Sequence, residues 1–144
     1  MNFVICNREQ ARKEIPQVPY LRISITDEDK GFVYVNEDKE YLLHSLRLKF
    51  WDTDSNDFPD RSAISKEQAD KIIDVMEKYK EVAWVVIVNC EGGLSRSPAV
   101  AAALSKIYEG TDAEIVRSKP FYNKYVYRTI LNAYEDKVDK ILPF

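Results

Sequence analysis

The stretch VAWVVIVNCEGGLSRS, residues 82–97, decides how the rest of the chain is read. Residues 82–88 are almost continuously apolar, as expected of a central parallel strand covered on both faces. Gly92 and Gly93 then permit a tight backbone turn. Ser97 and Pro98 open a helix, because proline is accepted in a first turn that needs no intrahelical donor. Residues 99–108 continue that helix and Gly110 is its expected stop. Strand, glycine turn and helix start thus place Cys90 and Arg96 at the two ends of one short loop.

Successive backbone N–H groups in such a turn can converge as an anion nest, aided by the positive end of the following helix. The expected phosphate-binding positions are Glu91, Gly92, Gly93, Leu94, Ser95 and Arg96. The same field favours a thiolate at Cys90, since a free cysteine has a pKa of ~8.5 and lowering it raises the nucleophilic fraction. The planar fork of Arg96 can hold two oxygens of a phosphoryl group, where a lysine would act as a point charge. Ser97 can donate to the Cys90 sulfur and later help the thiolate leave. The competing structural reading is a buried strand-end cysteine in a packing turn, with Arg96 salt-bridged at the surface. A nucleotide P-loop fits poorly, because no Gly-Lys-Ser/Thr follows the glycines, and the GxGxxG order of a dinucleotide site is missing.

On either side of this loop the chain alternates strands and helices. Residues 2–6 and 20–26 read as strands, the second (YLRISIT) by its alternation and β-branched residues. A helical turn is expected within residues 9–14, a short strand or hairpin arm at 31–35 and a strand at 46–50. Residues 65–80 form the clearest helix. Ser65 and Gln68 stand in capping-box positions, Ile64 can staple against Ala69, and Ile72, Ile73, Met76 and Tyr79 extend one apolar face. Asp112 can cap a short helix before Pro120, and residues 122–134 carry Tyr122, Val126, Ile130, Leu131 and Tyr134 near one side. These elements predict an α/β domain of three layers, a central mainly parallel sheet flanked by helices.

A length of 144 residues suits a single domain over 1–144, and 45% apolar with 31% charged residues is ordinary for a globular chain. The net charge of −3 argues against a nucleic-acid binder while leaving room for a small electropositive pocket. No apolar run reaches the ~18 residues of a membrane span, and the amino terminus lacks signal-peptide order, so no membrane association and a cytoplasmic location are expected. One histidine and two cysteines form no zinc-type cluster.

The run from Cys90 through Gly93 and Arg96 to Ser97 resembles the CxxGxxR-Ser/Thr signature of the cysteine-based protein tyrosine and dual-specificity phosphatases, in the manner of small bacterial- or phage-like members. Asn89 stands where that family usually has histidine. The resemblance implies a phosphotyrosine phosphatase-like fold and hydrolysis of phosphate monoesters through a phosphocysteine, most of all protein phosphotyrosine. The partner is then a phosphorylated protein or a small phosphomonoester, and no metal or organic cofactor is required. It also implies an aspartate on a loop after a strand, acting as acid and then base. Asp52, in Phe50-Trp51-Asp52, matches best, with Asp54, Asp57 and Asp60 as alternatives. The same resemblance implies that Asn123 lines or braces the edge of the site. These carboxylates could also be plain solvated loop residues, and their spacing lacks EF-hand order.

His44 reads as a structural or surface histidine, and Cys6 as a core cysteine in preference to a redox partner of Cys90. The run PFYNKYVYR, residues 120–128, packs more simply as a helix face than as a nucleic-acid platform. The functional alternative of another class is a phosphate-dependent binding module without turnover. Arsenate reduction or sulfur transfer through a related loop is a third reading.

Overall fold

The computed structural model describes residues 1–54 and 61–141, with the backbone alone described at 141. Four strands, β1 (Asn2–Cys6), β2 (Tyr20–Thr26), β3 (Leu42–Lys49) and β4 (Val85–Asn89), form one sheet in the order β1-β4-β2-β3, and every pairing is parallel. The helices are α1 (Arg8–Ala11), α2 (Lys66–Tyr79), α3 (Arg96–Glu109), α4 (Ala113–Ser118) and α5 (Lys124–Ile141). Parallel pairing has a direct functional consequence: all four strands end at one edge, where Asn7, Asp27, Phe50 and Cys90 lie.

Alternation along the strands builds two cores. Leu21, Ile23 and Ile25 of β2 and Val86 and Val88 of β4 point to one face, against Ile72, Ile73 and Met76 of α2, Val100 and Leu104 of α3, and Val126 and Ile130 of α5. Each of these fully buried side chains contributes roughly 1.5–3 kcal/mol relative to exposure. Helix α3 is buried along residues 96–104, and its alanines at 99, 101, 102 and 103 let backbones approach closely. The opposite face carries Cys6, Tyr20 and Ile87, covered by Ala11 of α1 and by Val33. This is the expected three-layer α/β arrangement, with one thick helical layer and a thinner one made of α1 and the β2–β3 crossover. Among the described residues no helix is long and apolar enough to cross a membrane.

The crossover, residues 27–41, is where expectation fails, for residues 31–35 form no strand. Their alternation is real, since Val33 is buried while Tyr34 is 74% exposed. The side chains are satisfied without a ladder, however. Val33 packs on the second core, and Phe32 lies under the cations of Arg47 and Lys49. Glu37 fastens the segment by accepting from the buried Arg22 and from the hydroxyl of Tyr20.

Other boundaries shift for local reasons. Strand β3 begins four residues before the expected start, because a register irregularity at Tyr20/Leu21 lets the non-alternating 42–45 pair. Strand β4 starts at Val85, leaving Val82 and Trp84 exposed. Ser65 and Gln68 do form the capping box of α2, and Asn7 with Gln10 forms another on α1. Asp112 precedes α4 but makes no side-chain cap, and its carboxylate instead accepts from the hydroxyl of Tyr127.

Candidate functional site

Strand β4 ends at Asn89, and the loop turns back over the end of β1 before α3 starts at Arg96. The two glycines of the turn are not equivalent. Gly93 has φ +70°, and a Cβ there would lie 2.8 Å from Asn7 N and from Cys6 C, so only glycine fits. Gly92 faces open space. Close seating on β1 turns loop carbonyls outward: that of Glu91 accepts from Arg8 N at 3.1 Å, and that of Ser95 from Asn123 N at 3.0 Å. The amide of Gly93 points the other way and donates to Cys90 Sγ at 3.2 Å.

Cys90 is 3% exposed, and its Sγ also lies 3.2 Å from Ser97 Oγ, which is fully buried in the first turn of α3. Ser95, the residue before α3, makes no side-chain cap, so the helix's first amides are not capped from within. Its hydroxyl instead donates to Asp52 Oδ1 at 2.8 Å.

Arg96 is buried rather than paired at the surface. Its Nη1 donates to the Phe50 carbonyl at 2.6 Å and meets Asp27 Oδ1 at 2.8 Å. Both contacts use Nη1, leaving Nε and Nη2 as the remaining edge of the fork. Glu91 is held away from the loop's inner face, accepting from Thr26 Oγ1 at 2.8 Å and pairing with Arg8 at 3.4 Å. Asn89, 2% exposed, accepts from Ser24 Oγ at 2.8 Å.

Asp52 hangs over the loop. Its Oδ1 accepts from Asn123 Nδ2 at 2.9 Å as well as from Ser95. Asn123 also donates to the Thr53 carbonyl at 3.0 Å, and its Oδ1 accepts from Val126 N at 3.0 Å at the start of α5. One buried asparagine therefore ties the Asp52 segment, the Ser95 carbonyl and a helix start together. A cleft of about 570 Å³ is lined by Asp27, Trp51, Asp52, Arg61, Glu91 and Arg96 among others. Trp51 closes the base of the aspartate segment through its amide to the Ser62 carbonyl at 2.8 Å, with Arg61 5.1 Å over its ring. Asp54 is exposed and lines an adjoining cleft with Lys124 and Arg128, while Asp57 and Asp60 lie outside the described residues.

The structure thus brings Cys90, Arg96, Ser97 and Asp52 to one place. It places His44 near the opposite end of β3, stacked on Tyr79. Cys6 is a free thiol in the second core, on the other face of the sheet from Cys90, and burial pushes its pKa up to about 11. Sequence reasoning missed Asp27 altogether, and the available clue was its place immediately after the strand of residues 20–26. Among the described residues no group of three or more histidine, cysteine or carboxylate side chains could hold a metal.

No family model matches the chain, and no curated protein matches it in sequence. Solved structures do match in shape. Human DUSP28 is 14% identical with a TM-score of 0.64, covering 96% of this chain and 94% of its own. PTPMT1 in complex with PI(5)P is 16% identical with a TM-score of 0.61, covering 98% and 95%. Tk-PTP in the active form is 18% identical with a TM-score of 0.51, covering 92% and 90%. At these identities the likeness is one of architecture: the chain has the fold of the cysteine-based protein tyrosine and dual-specificity phosphatases.

Proposed function

We propose that this protein hydrolyses phosphate monoesters through a phosphocysteine at Cys90, with protein phosphotyrosine as the leading substrate. The observation that carries the reading is the Cys90 sulfur seated between Ser97 Oγ and the Gly93 amide, in a loop that ends at the buried fork of Arg96. The loop amides and the free edge of Arg96 hold the equatorial oxygens. The Cys90 thiolate attacks phosphorus, an S–P bond forms, and the P–O ester bond breaks. Asp52 gives its proton to the leaving oxygen. Among the described residues Ser95 and Asn123 hold Asp52 over the loop through Oδ1. The resulting carboxylate takes a proton from water, which attacks phosphorus; the S–P bond breaks, Ser97 donates to the departing thiolate, and orthophosphate leaves. Trp51 in the cleft wall supports an aryl substrate, since it offers a flat surface to a tyrosine ring.

The binding-module reading draws on Asn89. Its side chain is neutral at every pH and engaged by Ser24, so thiolate stabilisation falls to the loop amides, the α3 terminus and Arg96. Turnover of para-nitrophenyl phosphate with chemical trapping of phosphocysteine decides between the two. Hydrolysis abolished by Cys90→Ser is the expected result. Phosphate binding that depends on Arg96 without any turnover would establish the binding module instead. If the protein is active, Asp52→Asn is expected to slow release of poor leaving groups by roughly 10²- to 10⁴-fold. A comparable loss from Asp54→Asn alone would move the acid to Asp54.

A further inference from the structure

We infer that Lys124 and Arg128 of α5 form a second anion subsite beside the catalytic cleft, selecting phosphotyrosine peptides that carry a further carboxylate or phosphate on the Asp52 side; the inference rests on the reading that the Cys90 loop takes a phosphoryl group. Both side chains line a cleft of about 630 Å³, together with Asp52, Thr53, Asp54 and Ser95 among others. Asp52 and Thr53 also line the cleft lined by Arg96, so the two clefts share that segment as a wall. Ser95 lines one and Arg96, the next residue, lines the other. A peptide whose phosphoryl group sits at Arg96 can therefore lay a neighbouring side chain across Asp52 and Thr53 toward α5.

The two flanks of the loop differ in charge. On the side of α1 and the β2–β3 crossover, Arg8 pairs with Glu91 at 3.4 Å, Arg12 with Glu9 at 3.4 Å and Lys30 with Asp27 at 3.6 Å. Those cations already have partners. On the α5 side Lys124 and Arg128 are exposed, and neither has a carboxylate partner among the described residues. Lys124 opens α5 and Arg128 follows one turn later, so the two charges repel, and a cation in a first turn without acidic residues also opposes the helix dipole. Helix stability therefore gives no account of this pair, whereas an anion held between them does. Residues 117–128 contain four cations and no carboxylate, in a chain whose net charge is −3.

Two effects compete in this cleft. Asp52 and Asp54 line it too, and a carboxylate repels an incoming anion. Asp52 is the acid of the proposed cycle, so it is neutral when substrate binds, and Asp54 then opposes two cations with one charge. Attraction wins. The planar fork of Arg128 suits a carboxylate or phosphate edge, and Lys124 adds a point charge. Both cations are exposed, so the gain is that of a solvent-screened contact, a factor of roughly three to ten over a neutral side chain.

The test compares phosphotyrosine peptides on the full chain: one with alanines around the phosphotyrosine, a set with a single glutamate moved along the neighbouring positions, and the same set with phosphoserine. The ratio of the best acidic peptide to the neutral one is taken within each variant, as kcat/KM, or as Kd if the parent binds without turnover. The parent is expected to favour the acidic peptide roughly three- to tenfold, and less as salt is added. Whichever acid gives the larger ratio identifies the group. In the double variant Lys124→Gln, Arg128→Gln the ratio should fall to about one, and Arg128→Lys should keep part of it. If the double variant does not fold, each single glutamine substitution carries the test and should lose part of the ratio. No preference in the parent, no peptide accepted at all, or a preference that survives the substitutions would overturn the subsite. Neither para-nitrophenyl phosphate turnover nor binding of inorganic phosphate by the parent would instead remove the underlying reading of the loop, and this inference with it.

Discussion

Substituting the two loop glycines one at a time separates geometry from composition. At Gly93 an alanine must adopt φ +70°, the left-handed region, at a cost of roughly 1–2 kcal/mol. Its Cβ would also stand 2.8 Å from Asn7 N and Cys6 C and 3.0 Å from Cys6 O. These are backbone atoms at the end of β1, so no side chain can swing aside, and overpacking of this kind costs a further ~1–3 kcal/mol. The sum is about 2–5 kcal/mol. With an unfolding entropy of ~2.1 cal/mol/K per residue, this chain loses about 7–16 °C in melting temperature. At Gly92 nothing lies within 4 Å of the added Cβ and the backbone is not left-handed, so Gly92→Ala is expected to be neutral or to gain ~0.4–1 kcal/mol through the unfolded state. Differential scanning calorimetry of both variants, with and without phosphate, measures the contrast. The Gly93 variant should also lose most of its phosphate-induced stabilisation, because the amide that donates to Cys90 is displaced with the backbone. Equal melting temperatures for the two variants, or a Gly93→Ala protein that keeps its full phosphate response, would refute the reasoning.

Asn123→Ala removes three hydrogen bonds made by one buried side chain, including the one at the start of α5. A loss of ~1–3 kcal/mol in stability is expected, together with a larger fall in kcat than in phosphate affinity, because Asp52 is released while Arg96 is untouched; equal falls in both would argue against it. Alkaline stability should depend on Tyr20, whose pKa burial and the neighbouring Glu37 push up to about 12 from 10.0. The fold favours the protonated phenol, so its contribution is complete below pH 10 and is lost as pH rises through about 12. Tyr108 and Tyr127 are raised in the same direction, chiefly by burial and then by Glu77 and Asp112. Melting temperatures between pH 9 and 12 should therefore fall, and Tyr20→Phe should make the fall shallower; an unaltered slope in that variant would contradict the assignment.

Much of this protein is written locally in its chain. Strand β2, the capping box of α2, the glycine stop of α3 and the strand-loop-helix around Cys90 each depend on residues within a few positions of one another, so periodicity and turn chemistry suffice to find them. Residues 31–35 mislead for a tertiary reason: alternation encodes which side chains are buried, not whether a neighbouring strand is there to complete a ladder. The site divides the same way. Cys90, Arg96 and Ser97 are legible because one turn contains them all, and both glycines look alike at that level. Only the fold sets Gly93 against the end of β1 and leaves Gly92 open. Asp27, Asp52 and Asn123 are separated from the loop by 63, 38 and 33 positions counted to Cys90. Periodicity and turn chemistry do not distinguish them from solvated polar residues; resemblance to the phosphatase pattern marks Asp52 and Asn123 and leaves Asp27 unmarked. Parallel strands that end at one edge, and a last helix that starts beside α3, carry these three residues to the loop.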